Sequence, residues 1–140
     1  MAFKNSRTRY EGELIKVLNG ELGDEWFGQR GTHSYGVDVL MFKSTSNSIV
    51  AQTLLFEVKS LVEWPFYVSG RNKSQYEGYL ELLETKNVEV MYAVRTVGRG
   101  AEKWRFAPIT AFSVTNRGNP CLKMDDTVGL LTFVHTIEAI

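Results

Sequence analysis

Apolar residues recur at helical spacing near the start of the chain. Leu14, Ile15, Val17, Leu18 and Leu22 predict a helix over 7–22, with Gly23 as its stop and Ser6 or Thr8 as its cap. The period then shortens. Residues 25–30 predict a short strand, and Gly28, Gly31 and Gly36 mark a loop. Val37 to Phe42 and Ile49 to Lys59 predict two strands joined by the polar turn Lys43–Ser48, together a hairpin. Leu54, Leu55, Phe56 and Val58 place the second of these in the centre of a sheet. Residues 71–86 return to helical spacing, with Tyr76, Tyr79, Leu80 and Leu83 on one side and Asn72 as a cap. Val88–Val94 and Trp104–Ile109 predict further strands around a turn at Gly98 and Gly100. Val128–Ile137 is apolar and fits a helix or a strand. This order predicts an α/β fold, a mixed central sheet flanked by helices.

The 140 residues, 44% hydrophobic and 12% aromatic, suit one domain over 1–140 with an ordinary core. No apolar run is long enough for a membrane span, and the first residues lack the apolar core of a signal peptide. Cys121 is the one cysteine, which excludes an internal disulfide and a multi-cysteine zinc site. These features point to the cytoplasm, with the nucleoid or, for a viral chain, in its host's cytoplasm. Net charge is zero, with 16 basic and 16 acidic residues, which by itself counts against a nucleic-acid partner. The distribution is uneven, however. Lys4, Arg7 and Arg9 open the chain without an acid, and Arg95, Arg99, Lys103 and Arg105 face only Glu102 between 95 and 105.

Candidate chemistry lies in the hairpin. Asp38 stands near the start of its first strand, and Glu57-Val58-Lys59 ends the second. Alternation along a strand turns Glu57 and Lys59 to one face and Val58 to the other. Two acids and a lysine thus meet beside a core, where charges are costly unless paired or bound to metal. Hard oxygen donors suit Mg²⁺, with Mn²⁺ as a substitute, and such a pair supports phosphodiester hydrolysis. Lys59 would hold a water or stabilise charge on the phosphate. The simpler alternative is a Glu57–Lys59 ion pair on a solvated face, with Asp38 a turn residue.

The wider sequence resembles the archaeal-type Holliday junction resolvases of the PD-(D/E)XK nuclease superfamily. Arg9–Leu18 resembles their first helix, Arg30–Asp38 the loop into their metal aspartate, and Phe56-Glu57-Val58-Lys59-Ser60 their Glu-x-Lys-Ser core. Phe66-Tyr67-Val68, then Ser74-Gln75, resembles a strand followed by a helix-borne glutamine, and Val90–Val94 with Trp104–Ile109 resembles the closing strands. The likeness spans roughly residues 7–110. The chain departs from it in Gly36-Val37-Asp38 where Pro-Asp is usual, in a less basic loop at 28–36, and in a longer 61–70 segment.

The resemblance implies a restriction-endonuclease-like core and a homodimer that places paired nicks across a four-way DNA junction. It implies Glu11, Asp38 and Glu57 at the metal, and Ser34, Lys59 and Gln75 as the remaining catalytic residues. Glu13 is the rival of Glu11, since about 200° of helix separates them. Arg9 and Arg30 match phosphate-contacting positions. Ser34, Arg7, Arg71, Lys73 and Arg99 extend that DNA surface. His33 is a further candidate base, His135 a structural or interface residue, Cys121 an incidental loop residue, and residues 121–140 a candidate dimer surface. Two other functions fit: a nuclease of this fold acting on other DNA (repair, restriction or nicking), and a non-catalytic DNA-binding module.

Overall fold

The computed structural model describes residues 6–31, 36–44, 52–98 and 103–139, with side chains from residue 9 onward. Its elements in chain order are α1 (Ser6–Leu22), β1 (Trp26–Arg30), β2 (Val39–Lys43), β3 (Gln52–Leu61), β4 (Phe66–Tyr67), α2 (Arg71–Lys86), β5 (Val90–Thr96), β6 (Trp104–Pro108), β7 (Ser113–Val114), β8 (Pro120–Leu122), β9 (Val128–Gly129) and α3 (Leu130–Glu138). The central sheet runs β1-β2-β3-β5-β6-β9. Neighbours are antiparallel except β3 and β5, which are parallel and joined through α2. The sheet is therefore mixed, as expected. A parallel pair needs such a crossover, because a tight turn cannot return the chain in the same direction.

Alternation along the strands divides the core in two. Val39, Met41, Phe56, Val58, Ala93 and Phe106 meet Leu14 and Leu18 of α1 and Phe133 and Ile137 of α3. On the other face Val90, Tyr92 and Val94 meet Tyr76 and Tyr79 of α2. Phe66, Val68 and Leu122 extend that second core under a three-stranded sheet, β4-β8-β7.

The apolar 128–137 stretch divides into a two-residue edge strand and a helix. Leu130, Phe133, Val134 and Ile137 recur at helical spacing, and Phe133 stacks on Phe106 at 4.3 Å between ring centroids and meets Phe56 edge-on at 5.8 Å. Burying one such ring contributes about 1.5–3 kcal/mol. Part of the apolar content expected to form a dimer surface is thus buried inside, while Met124, Val128 and Leu131 remain exposed. Cys121 lies buried in β8 rather than in a loop, and His135 is exposed on α3. No helix among the described residues is long and apolar enough to cross a membrane.

Candidate active site

The β2–β3 register ends at Val39. Val39 pairs with Phe56, and the Asp38 N–H donates to the Phe56 carbonyl at 3.0 Å. Asp38 thus shares Phe56 with Val39, and its carboxylate lies close enough to Glu57 for its charge to oppose ionisation there. Asp38 is 5% exposed and Glu57 fully buried. Asp38 Oδ2 also accepts the buried Val58 N–H at 2.9 Å, so its side chain satisfies a backbone donor of β3.

Lys59 follows on the same face as Glu57. Its Nζ is 3.1 Å from Glu57 Oε1 and donates to Asn72 Oδ1 at 3.0 Å and to Gln75 Oε1 at 3.1 Å. An ammonium has three hydrogens, and three oxygens surround this one. The Glu57–Lys59 ion pair thus exists, but around a buried carboxylate and not on a solvated face. Gln75 stands where the sequence expects it. Asn72 does not cap α2: Gly70 is the cap residue, without a side-chain bond, and the Asn72 amide turns to Lys59.

Burial, reinforced by the charge of Asp38, pushes the Glu57 carboxyl up from 4.5 to about 7, against the opposing pull of Lys59 and Tyr79. The helical spacing puts Tyr79 on the apolar side of α2 and gives it no role at the acids. It is buried, but its hydroxyl donates to Glu57 Oε2 at 2.6 Å and also contacts the Gly36 carbonyl. Burial and then the Glu57 charge hold this phenol well above its ordinary range. A phenol has one hydrogen, so both contacts are bonded together only when Glu57 is protonated and donates back.

The stem of the loop before Asp38 is closed by backbone. The Gly31 N–H donates to the Asp38 carbonyl at 2.8 Å. A Cβ on Gly31 would stand 1.9 Å from the Val37 carbonyl oxygen, so no other residue fits without moving the stem. Ser34 and His33 in that loop, and Arg99 in the later turn, lie outside the described residues, as does the side chain of Arg7.

The two helix acids part company. Glu13 Oε1 accepts from Arg95 Nε at 2.6 Å and from Trp104 Nε1 at 3.0 Å. Burial pushes this carboxyl up, but the bond and charge of Arg95 outweigh it and leave it lowered. Glu13 thus anchors α1 to β5 and β6. Glu11 lies on another side of α1, one turn before Ile15, which packs over Gly28 of β1. Among the described residues no three of His, Cys, Asp and Glu are gathered closely enough to hold a metal directly. The Arg30 guanidinium lies against Gly12 of α1, Arg9 is exposed beside the Tyr10 ring, and Arg71 and Lys73 stand in the first turn of α2. Arg95 and Arg105 are engaged inside the fold, Arg105 through Nε to Thr127 Oγ1 at 2.5 Å.

The donor set fits a hard divalent cation. Burial and the neighbouring Asp38 charge oppose ionisation of Glu57, and a cation held by the two acids would remove that cost. Mg²⁺ takes one or two carboxylates and completes its shell with water and phosphate.

No protein-family model matches the chain, and no curated protein matches it. Among solved structures it is similar to Hjc of Archaeoglobus fulgidus, a Holliday junction resolvase from an archaeal hyperthermophile. The TM-score is 0.66 at 19% identity, over 94% of this chain and 97% of that one. The likeness is one of fold: a mixed six-stranded sheet with flanking helices, in the restriction-endonuclease-like arrangement.

Proposed function

We propose that this protein is a metal-dependent DNA endonuclease that resolves four-way junctions by paired, symmetric nicks. The observation that carries the reading is the burial of the Asp38 and Glu57 carboxylates beside each other, with Lys59 held at Glu57 by Gln75 and Asn72. Salt bridges that serve only the fold are seldom assembled from two mutually repelling buried acids, because each costs several kcal/mol of desolvation, on the order of the fold's whole stability.

Asp38 and Glu57 would hold Mg²⁺ or Mn²⁺, with Glu11 as a third acid acting through water. When bound, the cation supplies Lewis acidity toward the phosphate and an acidified water. Lys59 then places its fixed ammonium against charge developing on the phosphate oxygens. Gln75 and Asn72 orient Lys59, and Tyr79 orients Glu57. Ser34 approaches the scissile phosphate from the loop, while Arg7, Arg9, Arg30, Arg71, Lys73 and Arg99 contact neighbouring phosphates. Such contacts position DNA without reading its sequence, which suits recognition of a branch by shape. Two symmetric cuts require two sites in opposite orientation, hence a homodimer.

Incubation with Mg²⁺ and matched four-way, forked and linear duplexes tests the reading. Paired nicks on the four-way substrate alone support it. Equal cutting of linear duplex indicates a nuclease with another substrate, and binding without cutting indicates a non-catalytic module.

A further inference from the structure

The three-stranded sheet shows different chemistry on its two faces. Phe66, Val68, Pro120 and Leu122 are buried toward α2 and the central sheet. Tyr67, 58% exposed, stands opposite the buried Cys121, and Thr115 is bonded to Asn119 at 2.8 Å one step along. The turn after Thr115 carries Asn116 and Arg117, both exposed, and closes on Gly118 at φ 79°. Between Tyr67 and this turn opens a pocket of about 520 Å³. Its lining offers a phenol ring, two hydroxyls, two amides and one guanidinium, and no carboxylate.

We infer that this pocket is a nucleobase subsite, in which an unstacked base of the DNA substrate lies on the Tyr67 ring and its phosphate meets Arg117. The inference rests on the nuclease reading for its ligand. Three features commit it to DNA. An aromatic side chain with an open face stacks any base. Amides such as Asn116 and Asn119 match the donors and acceptors of base edges. The lone charge in the lining is positive, as a phosphate requires.

Position supports the same ligand. Only four residues separate Tyr67 from Asn72, which touches Lys59, so the five steps of extended chain between them span at most about 18 Å. At about 3.4 Å per nucleotide along a strand, a chain with a phosphate at Lys59 passes Tyr67 within roughly five nucleotides. Arg71 stands between them. A branch point interrupts the base stack, so a base there is drawn out at lower cost than from continuous duplex.

The test uses a fluorescein-labelled four-way junction with EDTA in place of Mg²⁺, so that binding is read without cutting. Tyr67→Ala should weaken binding about tenfold or more, the loss expected on removing one stacking ring, while Tyr67→Phe stays within about twofold of wild type. Arg117→Ala should lower the slope of log affinity against log salt by about one. A junction bearing 5-iodouracil close to the branch should photo-crosslink to Tyr67, an outcome independent of how any variant folds. Wild-type binding matched by Tyr67→Ala and Arg117→Ala, with no adduct at Tyr67, overturns the subsite and leaves the nuclease reading standing. A wild type that binds no DNA overturns both.

Discussion

The Tyr79 hydroxyl donates to Glu57 Oε2 at 2.6 Å, which ties α2 to the buried acid of β3. That bond favours the ionised carboxylate and opposes the rise that burial and Asp38 impose. Tyr79→Phe removes the hydroxyl and keeps the ring. It should cost about 1.5–3 kcal/mol of stability, as for other bonds to a charged group, read by denaturant unfolding. It should also move the rising limb of the cleavage-rate pH profile to higher pH, which a purely packing role for Tyr79 would leave in place.

Glu57 makes the metal-free fold sensitive to pH. Its folded value of about 7 lies above the ordinary 4.5, so the folded state binds the proton more tightly. The associated stability is fully present below about pH 4.5 and is lost as pH rises through about 7. The difference is roughly 3 kcal/mol across that window. Glu57→Gln should flatten this part of the profile in melts without metal, and Mg²⁺ should stabilise wild type most at the alkaline end. Parallel profiles for wild type and Glu57→Gln would contradict the assignment.

Much of this site was legible because strand alternation is rigid. Once Asp38, Glu57 and Lys59 were placed on a hairpin, period two allowed Glu57 and Lys59 only one shared face, and that face is observed. Gln75 was found through resemblance. Asn72 and Tyr79 were misread, although Asn72, Gln75 and Tyr79 stand at i, i+3 and i+7 of one helix and so share its inner side. That spacing was the available signal. It was hidden because asparagine near a helix start reads as a cap and helix-spaced tyrosines read as core. Glu11 and Glu13 could not be separated by phase alone; the structure separates them through the Arg95 and Trp104 partners of Glu13. β4, β7 and β8 have two or three residues each, too short to show a period. The helical spacing of Leu130, Phe133, Val134 and Ile137 was present but masked by the two-residue strand before it.

Lys59 is held by two amides from α2, so its position should depend on both. Gln75→Ala should slow single-turnover cleavage about tenfold, a barrier increase of about 1.4 kcal/mol, with little change in DNA affinity. Asn72→Ala should do less, because its amide is at the exposed rim, and the pair together should exceed either alone.

Gly31 is predicted to be intolerant of a side chain. Gly31→Ala forces a Cβ toward the Val37 carbonyl and should cost about 1–3 kcal/mol, with cleavage falling as Asp38 shifts. Gly20→Ala serves as the control. Nothing lies within 4 Å of its Cβ position, and in a helix it should stabilise by about 0.5–1 kcal/mol. Thermal melts of the two variants read this contrast.

Asp38 bears most directly on the central claim, and the choice of substitution matters. Asp38→Ala strands the buried Val58 N–H and should cost about 1–3 kcal/mol, which would confuse folding with catalysis. Asp38→Asn keeps an oxygen for that bond and removes the charge. The decisive measurement is cleavage of a four-way junction by wild type and Asp38→Asn in Mg²⁺, alongside junction binding in EDTA. Paired nicks by wild type, loss of cutting in the variant, and equal or tighter binding by the variant are the results expected. A variant that cuts as fast as wild type would contradict the metal-site account.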